Sequence, residues 1–413
     1  MEKNKKMQKN KNLKAIQKAQ NGITLVALVI TIIILIILAT VAINFAFGNN
    51  GLINRAEQAS DFYANDTKYT EESMTNVESY LDEMIAGTGG SGDDETEIAL
   101  PTTVLDAKEN ETKYTDTTPI TDDLGNTVYI PGGFHVDKED SGTKVEDGIV
   151  IEDDNENQFV WIPTGTYQTT DTDESIKTNE LSRRQWATTA DVVQVPNLIT
   201  DDDGVNGNNG TYYGERDNRS VANDTIDMFL ASASVKCTEN ENGHGGFYIG
   251  RYEQGIGNVC KAGVDPYVNV TRNEAKTQAE TMYSSNYEIK ATTQLISSYA
   301  WDTALNFICQ NSNYGYSLAT TTSSERANIK TGIKTLTGEY VQDCYSNIFD
   351  FLGNCYEWTT EYSEYYTSSY IAPCTLRGGI YNINSNVYAS FRNCVSNDGN
   401  HDYGSFRLQM YIN

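Results

Sequence analysis

The side chains best suited to contacting a ligand lie between Tyr381 and Tyr403, close to the C-terminus. This segment is dense in Tyr and Asn, which combine amphipathic contact area with adaptable hydrogen bonding, as in evolved binding loops. It therefore predicts a ligand-binding face; the alternative is an ordinary polar loop. The candidate contact residues are Tyr381, Asn382, Asn384, Asn386, Tyr388, Asn393, Asn397, Asn400, His401 and Tyr403.

Histidine and cysteine offer little for metal or redox chemistry. The three His residues, His135, His244 and His401, are far apart, and the seven Cys include no CxxC pair. A His-based metal centre, a zinc ribbon and a thioredoxin-type site are therefore not expected. One or two disulfides could form outside the cell, and the odd Cys count leaves at least one thiol over.

Three arginines near the C-terminus, Arg377, Arg392 and Arg407, stand out in an acidic chain. They could contact a ligand, or they could pair internally with acidic side chains and so hold the final strands together. We favour internal pairing.

The charge distribution separates the N-terminus from the body of the chain. The net charge of −27 excludes a general nucleic-acid binder, because affinity for phosphates needs a clustered positive surface. Residues 1–22 nevertheless carry seven Lys and one Glu, and an uncharged run of 25 residues, Ile23–Phe47, follows. As a helix this run is long enough to cross a hydrocarbon core of about 30 Å. These features predict a single-pass membrane protein with a cytoplasmic N-terminus and an extracellular body.

The N-terminal segment resembles the leader of type IV pilins and pseudopilins. The matching features are the basic stretch, Gly22 directly before the apolar run, and Ile23-Thr24-Leu25 after it. The resemblance implies that a prepilin peptidase cuts after Gly22 and methylates Ile23. Pilins carry Glu at the fifth mature position, where this chain has Ala27. A minor pilin or an isolated anchored protein is therefore expected rather than the subunit of a long filament.

Composition divides the chain into four segments. A leader over residues 1–22 precedes a transmembrane and extended pilin-like helix over 23–87, whose later apolar residues recur at near-helical spacing. An acidic Gly/Thr-rich linker covers 88–127. A globular domain covers 128–413 and contains a polar insertion at about 164–236.

Local patterns predict the main elements of this domain. Ile149–Ile151 and Phe159–Ile162 are the predicted strands of a hairpin, and Trp301–Gln310 is a helix with one apolar face. A strand lies between the glycines of Gly245–Gly255. Another ends at Glu357-Trp358, after a turn that contains Gly353-Asn354.

In chain order these blocks contain GGFYIGRYEQG, WDTALNFIC, DFLGNCYEW, RGGIY and GSFR. They resemble the motif string of the formylglycine-generating-enzyme/sulfatase-modifying-factor domain, a C-type-lectin-like fold, over roughly Val128–Asn413. The resemblance implies an α+β protein in which a long N-terminal transmembrane helix precedes a C-type-lectin-like domain with irregular loops.

The family's catalytic copper is bound by two Cys. Counted from Gly378-Gly379, the corresponding positions here hold Ile383 and Tyr388, which cannot act as thiolate ligands. Cys394 is near but alone. The sequence therefore predicts no such oxidase activity.

The family's calcium site partly carries over to this chain. The resemblance implies carboxylate ligands from Asp350 and Glu357, with the carbonyl groups of Gly353 and Cys355 completing an oxygen set that suits Ca²⁺. In the alternative, Asp350 caps the turn and Glu357 is a buried strut. Ca²⁺ is thus the candidate cofactor, and the sequence establishes no cofactor.

The Tyr/Asn segment 381–403 also resembles the hypervariable face of C-type-lectin-like proteins that retroelements diversify through adenine-targeted mutagenesis. We therefore predict a membrane-anchored cell-surface protein that binds an extracellular protein or glycan, or adheres, through this segment. One alternative is a minor pilin or pseudopilin subunit that joins other pilin subunits in a filament or secretion apparatus. The other is a formylglycine-generating-type oxidase.

Overall fold

The fold is taken from a computed structural model of the chain. Residues 1–99 lie outside the described part of the chain, and with them Gly22, Ile23 and the segments predicted as leader and helix. So do six candidate contact residues: Asn382, Asn384, Asn386, Asn397, Asn400 and His401. The described residues are 100–186, 195–199, 204–207, 210–215, 223–237, 243–320, 332–365, 373–381, 388–396 and 402–413.

The fold class differs from the α+β prediction with its long N-terminal helix. The described residues form mainly β-sheet with a few short helices, so α+β is wrong as their fold class, while the segment predicted as the long N-terminal helix lies outside them. The longest described helix, Ser298–Asn311, has 14 residues, and no helix in the described ranges has the length and apolarity needed to cross a bilayer. One reason for the higher strand content is that the described parts of residues 164–236, predicted as a polar insertion, include hairpins in which buried and more exposed residues alternate.

The first sheet is antiparallel, and the last strand of the chain lies second from one edge, between two other strands. The hairpin predicted at Ile149–Ile151 and Phe159–Ile162 is confirmed: Val150 pairs with Val160. The strand predicted between the glycines of Gly245–Gly255 is also confirmed. In spatial order the strands are β13 (Ala291–Leu295), β18 (Leu408–Ile412), β12 (Gly246–Gly250), β5 (Gln158–Pro163), β4 (Val150–Glu152) and β3 (His135–Val136).

The second sheet is built around one long strand. This strand was predicted to end at Trp358, but it begins at Tyr356 and continues to Tyr365. In spatial order the strands are β10 (Val205–Gly207), β11 (Gly210–Tyr213), β14 (Tyr356–Tyr365), β15 (Cys374–Arg377) and β16 (Arg392–Val395), with β17 (Gly404–Phe406) parallel to β14.

Three further hairpins and five helices complete the described fold. The hairpins are β1 (Thr118–Thr121) with β2 (Thr127–Ile130), β6 (Gly165–Gln168) with β7 (Ile176–Asn179), and β8 (Arg183–Gln185) with β9 (Asn197–Ile199). The helices are α1 (Val104–Asn110), α2 (Asn223–Ala231), α3 (Arg272–Thr281), α4 (Ser298–Asn311) and α5 (Ser317–Thr320), and two 3-10 turns lie at Val145–Asp147 and Val341–Asp343. No disulfide joins any two of the seven Cys.

Helix α4 confirms the helix predicted at Trp301–Gln310. It begins after Ser297, whose hydroxyl accepts a hydrogen bond from the backbone N–H of Ala300 and so caps the helix. The ring of Trp301 stacks on Phe351 at 4.1 Å, and its Nε1 donates to the carbonyl of Ala389 at 3.1 Å. Because α4 is buried over nearly its whole length, its polar side chains need partners inside the protein.

Candidate ligand-binding face

The termini of four neighbouring strands lie side by side at one end of the second sheet. Glu357 pairs with Arg377 between antiparallel β14 and β15, and Arg377 pairs with Arg392 between antiparallel β15 and β16. Tyr356 pairs with Gly404 between parallel β14 and β17. The chain leaving β15 and the chains entering β16 and β17 therefore meet at the start of β14.

This convergence produces an aromatic patch, which we define as Tyr356, Tyr381, Tyr388, Phe391 and Tyr403. The ring of Tyr356 stacks on Phe391 with 6.1 Å between centroids and meets Tyr403 edge-on at 5.8 Å. Tyr388 meets Phe391 edge-on at 5.8 Å. The backbone N–H of Tyr381 donates to the carbonyl of Asn354 at 2.8 Å. Tyr356 is buried and the other four residues are half-buried, so the patch presents ring surface to solvent.

Tyr381 and Tyr388 remain protonated at neutral pH. Burial raises the pKa of Tyr388. Burial also raises the pKa of Tyr381, and the neighbouring carboxylate of Asp402 raises it further. Their hydroxyl groups can therefore both donate and accept hydrogen bonds to a ligand.

The structure brings together three of the ten predicted contact residues, Tyr381, Tyr388 and Tyr403. Asn393 lies within β16, paired with Leu376, and is half-buried. The other six lie outside the described residues.

A buried ion network connects the same sheet to α4 and β8; we define it as Arg183, Asp302, Glu361, Arg377 and Arg392. Arg377 Nη2 lies 2.6 Å from Asp302 Oδ1, and Arg392 Nη2 lies 2.7 Å from Asp302 Oδ2. Arg392 Nε and Arg183 Nη2 each lie 3.0 Å from Glu361 Oε1. All five side chains are buried. For Arg377 and Arg392, internal pairing is confirmed.

Asp302 is the centre of this network. It also accepts hydrogen bonds from Trp186 Nε1 and from the backbone N–H of Arg184, each at 2.8 Å. Burial alone would raise the pKa of Asp302, but the guanidinium groups of Arg377 and Arg392 outweigh burial and hold the pKa at about 2. One carboxylate thereby links α4 to β8, β15 and β16, and fixes the strands whose ends carry the aromatic patch.

Arg407 forms a second buried pair with Glu357, so internal pairing is confirmed for this arginine too. Arg407 Nε donates to both carboxylate oxygens of Glu357 at 3.1 Å, and Nη2 donates to Oε1 at 2.7 Å. Nη1 donates to the carbonyl of Gly250 in β12 at 2.9 Å. The pair therefore connects the two sheets, and Glu357 has the buried structural position expected of a strut.

Two of the predicted calcium ligands have partners within the protein. Glu357 directs both oxygens to Arg407, and Asp350 Oδ2 accepts the backbone N–H of Gly338 at 2.8 Å. Within the described ranges, no group of three His, Cys, Asp or Glu side chains is placed to hold a metal ion. That finding does not concern the backbone carbonyl groups of Gly353 and Cys355, so the calcium site that includes them stays a prediction.

A third carboxylate, Glu253, lies close to Asp350 and Glu357. Its Oε1 accepts the backbone N–H of Cys355 and its Oε2 accepts Asn354 Nδ2, both at 2.8 Å. Burial raises the pKa of Glu253 well above its usual range, and the charges of Asp350 and Glu357 raise it further. Glu253 therefore keeps its proton to a higher pH in the folded protein than an ordinary Glu side chain does.

Sequence reasoning missed the acidic partners and two rings of the patch. Asp302 follows Trp301 inside an apolar helix, and a carboxylate in that position was a usable signal for a buried pair. Glu361 follows Glu357 by four residues along a strand, which favours the same face. Tyr356 and Phe391 gave no separate signal, because their contact depends on strand register.

No family model and no curated protein matches the chain. Among solved structures, the chain is similar to PvdO from Pseudomonas aeruginosa, with 11% sequence identity and a TM-score of 0.34 over 64% of this chain and 98% of that one. It is also similar to Treponema denticola variable protein 1, with 12% identity and a TM-score of 0.30 over 62% of this chain and 96% of that one. Both likenesses are weak, and neither assigns a function or a site. None of these findings supports the predicted pilin-like leader.

Proposed function

We propose that this protein binds an extracellular protein or glycan through the aromatic patch, on a domain of C-type-lectin-like type displayed at the cell surface. The observation that carries the proposal is that Tyr381, Tyr388 and Tyr403 lie together beside the strand termini at one end of the second sheet. The adjoining segments 382–387 and 397–401 contribute the predicted Asn and His contacts. The proposal also expects that the sequences of this protein in sibling strains differ at those Asn positions.

The physical support for binding is a preorganised aromatic surface. Tyr supplies a large contact area at a low cost in conformational entropy, since it has only two side-chain torsions. Tyr388 and Tyr403 pack on Phe391 and Tyr356, which limits their motion before a ligand arrives. Affinity then comes from partly exposed rings that a partner can cover and from hydroxyl groups at their edges.

The combined variant Tyr381→Ala/Tyr388→Ala is expected to weaken ligand binding at least about tenfold, because truncating central aromatic contacts costs more than about 1.4 kcal/mol. The full chain would first be screened against arrays of glycans and purified extracellular proteins. The dissociation constant of each ligand found would then be measured by calorimetry, with and without chelator.

The matched control is Tyr287→Ala, because Tyr287 is 88% exposed and lies outside the patch. It is expected to leave affinity unchanged. Equal binding by the combined variant and the wild-type protein would place the ligand elsewhere and remove the proposal. Binding lost on chelation alone would show that a metal ion takes part.

We propose further that the protein is not a formylglycine-generating oxidase. Tyr388, at one position of the family's copper-binding pair, contributes its ring to the aromatic patch. The other position, Ile383, has an aliphatic side chain that cannot bind copper. Incubation of the protein with added copper and a sulfatase-type Cys peptide is therefore expected to leave the peptide unchanged by mass spectrometry. Formation of the aldehyde product would contradict this proposal.

A further inference from the structure

A cleft with a volume of about 950 Å³ lies between three parts of the chain. One wall is the β1–β2 turn, Gly125–Thr127; the second is the end of β5 with the β6–β7 hairpin; the third holds Val235, Cys237 and His244-Gly245. The volume is that of a small-molecule site. No residue of the aromatic patch lines the cleft, which adjoins the Gly246 end of β12, whereas Arg407 contacts the Gly250 end.

Hydrogen bonds tie the three walls together. Thr164 Oγ1 donates to the carbonyl of Val235, and the backbone N–H of Thr164 donates to the carbonyl of Gly245, both at 2.8 Å. Asn126 Oδ1 accepts the backbone N–H of Gln168 at 2.6 Å, and Asn126 Nδ2 donates to the Gln168 carbonyl at 3.0 Å. The cleft is therefore preformed, which lowers the ordering cost of binding.

One face of the β6–β7 hairpin is turned into the cleft. Thr166 pairs with Thr178, and Gln168 pairs with Ile176, so these four side chains share a face. All four are exposed and line the cleft, and the intervening Tyr167, which also lines it, is buried. This face offers two neighbouring hydroxyl groups, one amide and one aliphatic surface.

The lining carries little charge. Among the described residues that line the cleft, none is Lys or Arg and the one acidic residue is Glu180. His244 stacks on Tyr129 with 4.4 Å between centroids, and burial lowers the pKa of His244, which favours its neutral form. His244 Nδ1 is buried and has no hydrogen-bond partner. Such a group is rare, and a ligand or an ordered water is the usual way to satisfy it.

We propose that this cleft binds a neutral polyhydroxylated small molecule, a mono- or disaccharide. An anionic ligand such as a sugar phosphate would find no opposite charge in the lining, and desolvating it there would be unfavourable. An apolar ligand would leave the Thr166 and Thr178 hydroxyl groups without partners. A sugar satisfies both, since its hydroxyl groups meet the Thr pair and Gln168 while its C–H face covers Ile176.

The test is calorimetric titration of the full chain with glucose, galactose, mannose, N-acetylglucosamine, maltose and cellobiose, and with glucose 6-phosphate as the charged counterpart. At least one neutral sugar is expected to bind with a dissociation constant below about 1 mM. The variant Thr166→Val/Thr178→Val keeps the shape and strand preference of the hairpin but removes both hydroxyl groups. It is expected to weaken binding about tenfold.

Two control proteins separate this site from the aromatic patch and from general effects of the substitution. Thr118→Val makes the same change on strand β1, outside the cleft, and is expected to bind as the wild type does. Tyr381→Ala/Tyr388→Ala is also expected to retain sugar binding. The proposal is overturned if none of the six neutral sugars binds, if glucose 6-phosphate binds more tightly than they do, or if the Thr pair can be replaced without loss.

Discussion

Replacing Asp302 with Asn is expected to lower the free energy of unfolding by about 3–5 kcal/mol, the usual cost of removing one partner from a buried ion pair. The substitution keeps the size of the side chain but leaves Arg377 and Arg392 buried beside a neutral amide. Urea denaturation at pH 7, followed by circular dichroism, measures the change.

The matched control is Asp154→Asn, which removes an acidic partner of Lys113 at the surface. Both side chains of that pair are well exposed, so a loss of no more than about 1 kcal/mol is expected. A similarly small loss for Asp302→Asn would show that the network does not hold the strands together.

The same carboxylate gives a pH signature. The pKa of Asp302 is held at about 2 in the folded protein, below its ordinary value of 3.8, so the unfolded chain binds this proton more readily. The stabilisation is therefore complete above about pH 4 and is lost as the pH falls towards 2. Asp302→Asn is expected to remove this part of the acid sensitivity, while Asp154→Asn leaves it in place.

Local patterns were sufficient to predict elements with a clear apolar signal. The hairpin at Ile149–Ile151 and Phe159–Ile162 follows from two apolar runs on either side of a polar turn, and the helix at Trp301–Gln310 follows from apolar residues at helical spacing. The continuation of β14 beyond Trp358 was not predictable in this way, because residues 359–364, TTEYSE, are polar yet largely buried. Its burial is possible only because groups such as Glu361 find partners elsewhere in the fold.

The candidate site was predictable only in part for the same reason. The density of Tyr predicted a binding face at residues 381–403. The position of three arginines in an acidic chain favoured internal pairing of Arg377, Arg392 and Arg407. Their acidic partners are remote: Asp302 precedes Arg392 by 90 residues. Pairings over such distances are set by strand register and helix packing, which composition and spacing do not contain. The α+β prediction failed in part because residues 164–236 were taken as a polar insertion, although their described parts include strands β6 to β11.

Raising the pH is expected to destabilise the protein through Glu253, opposite in sign to the effect of Asp302. Because burial and the charges of Asp350 and Glu357 raise the pKa of Glu253 well above 4.5, the folded protein retains this proton after the unfolded chain has lost it. Its contribution is therefore fully present below about pH 4.5 and declines as the pH rises towards the folded-state pKa. Each retained proton lowers the unfolding free energy by up to about 1.4 kcal/mol per pH unit.

The variant Glu253→Gln isolates this contribution, because an amide cannot ionise at any of these pH values. Between about pH 5 and 8, the free energy of unfolding of the wild type, measured with urea, is expected to fall as the pH rises. For Glu253→Gln the fall per pH unit is expected to be smaller, by up to the amount that one retained proton contributes. Comparing slopes rather than absolute stabilities removes the fixed effect of the amide on the hydrogen bonds from Cys355 and Asn354. Glu288→Gln, which neutralises a largely exposed carboxylate, is the control and should keep the wild-type slope. Parallel profiles for wild type and Glu253→Gln would mean that Glu253 ionises in the folded protein as it does in the unfolded chain. Arg407 would then have to balance the charge of Glu253 as well as that of Glu357.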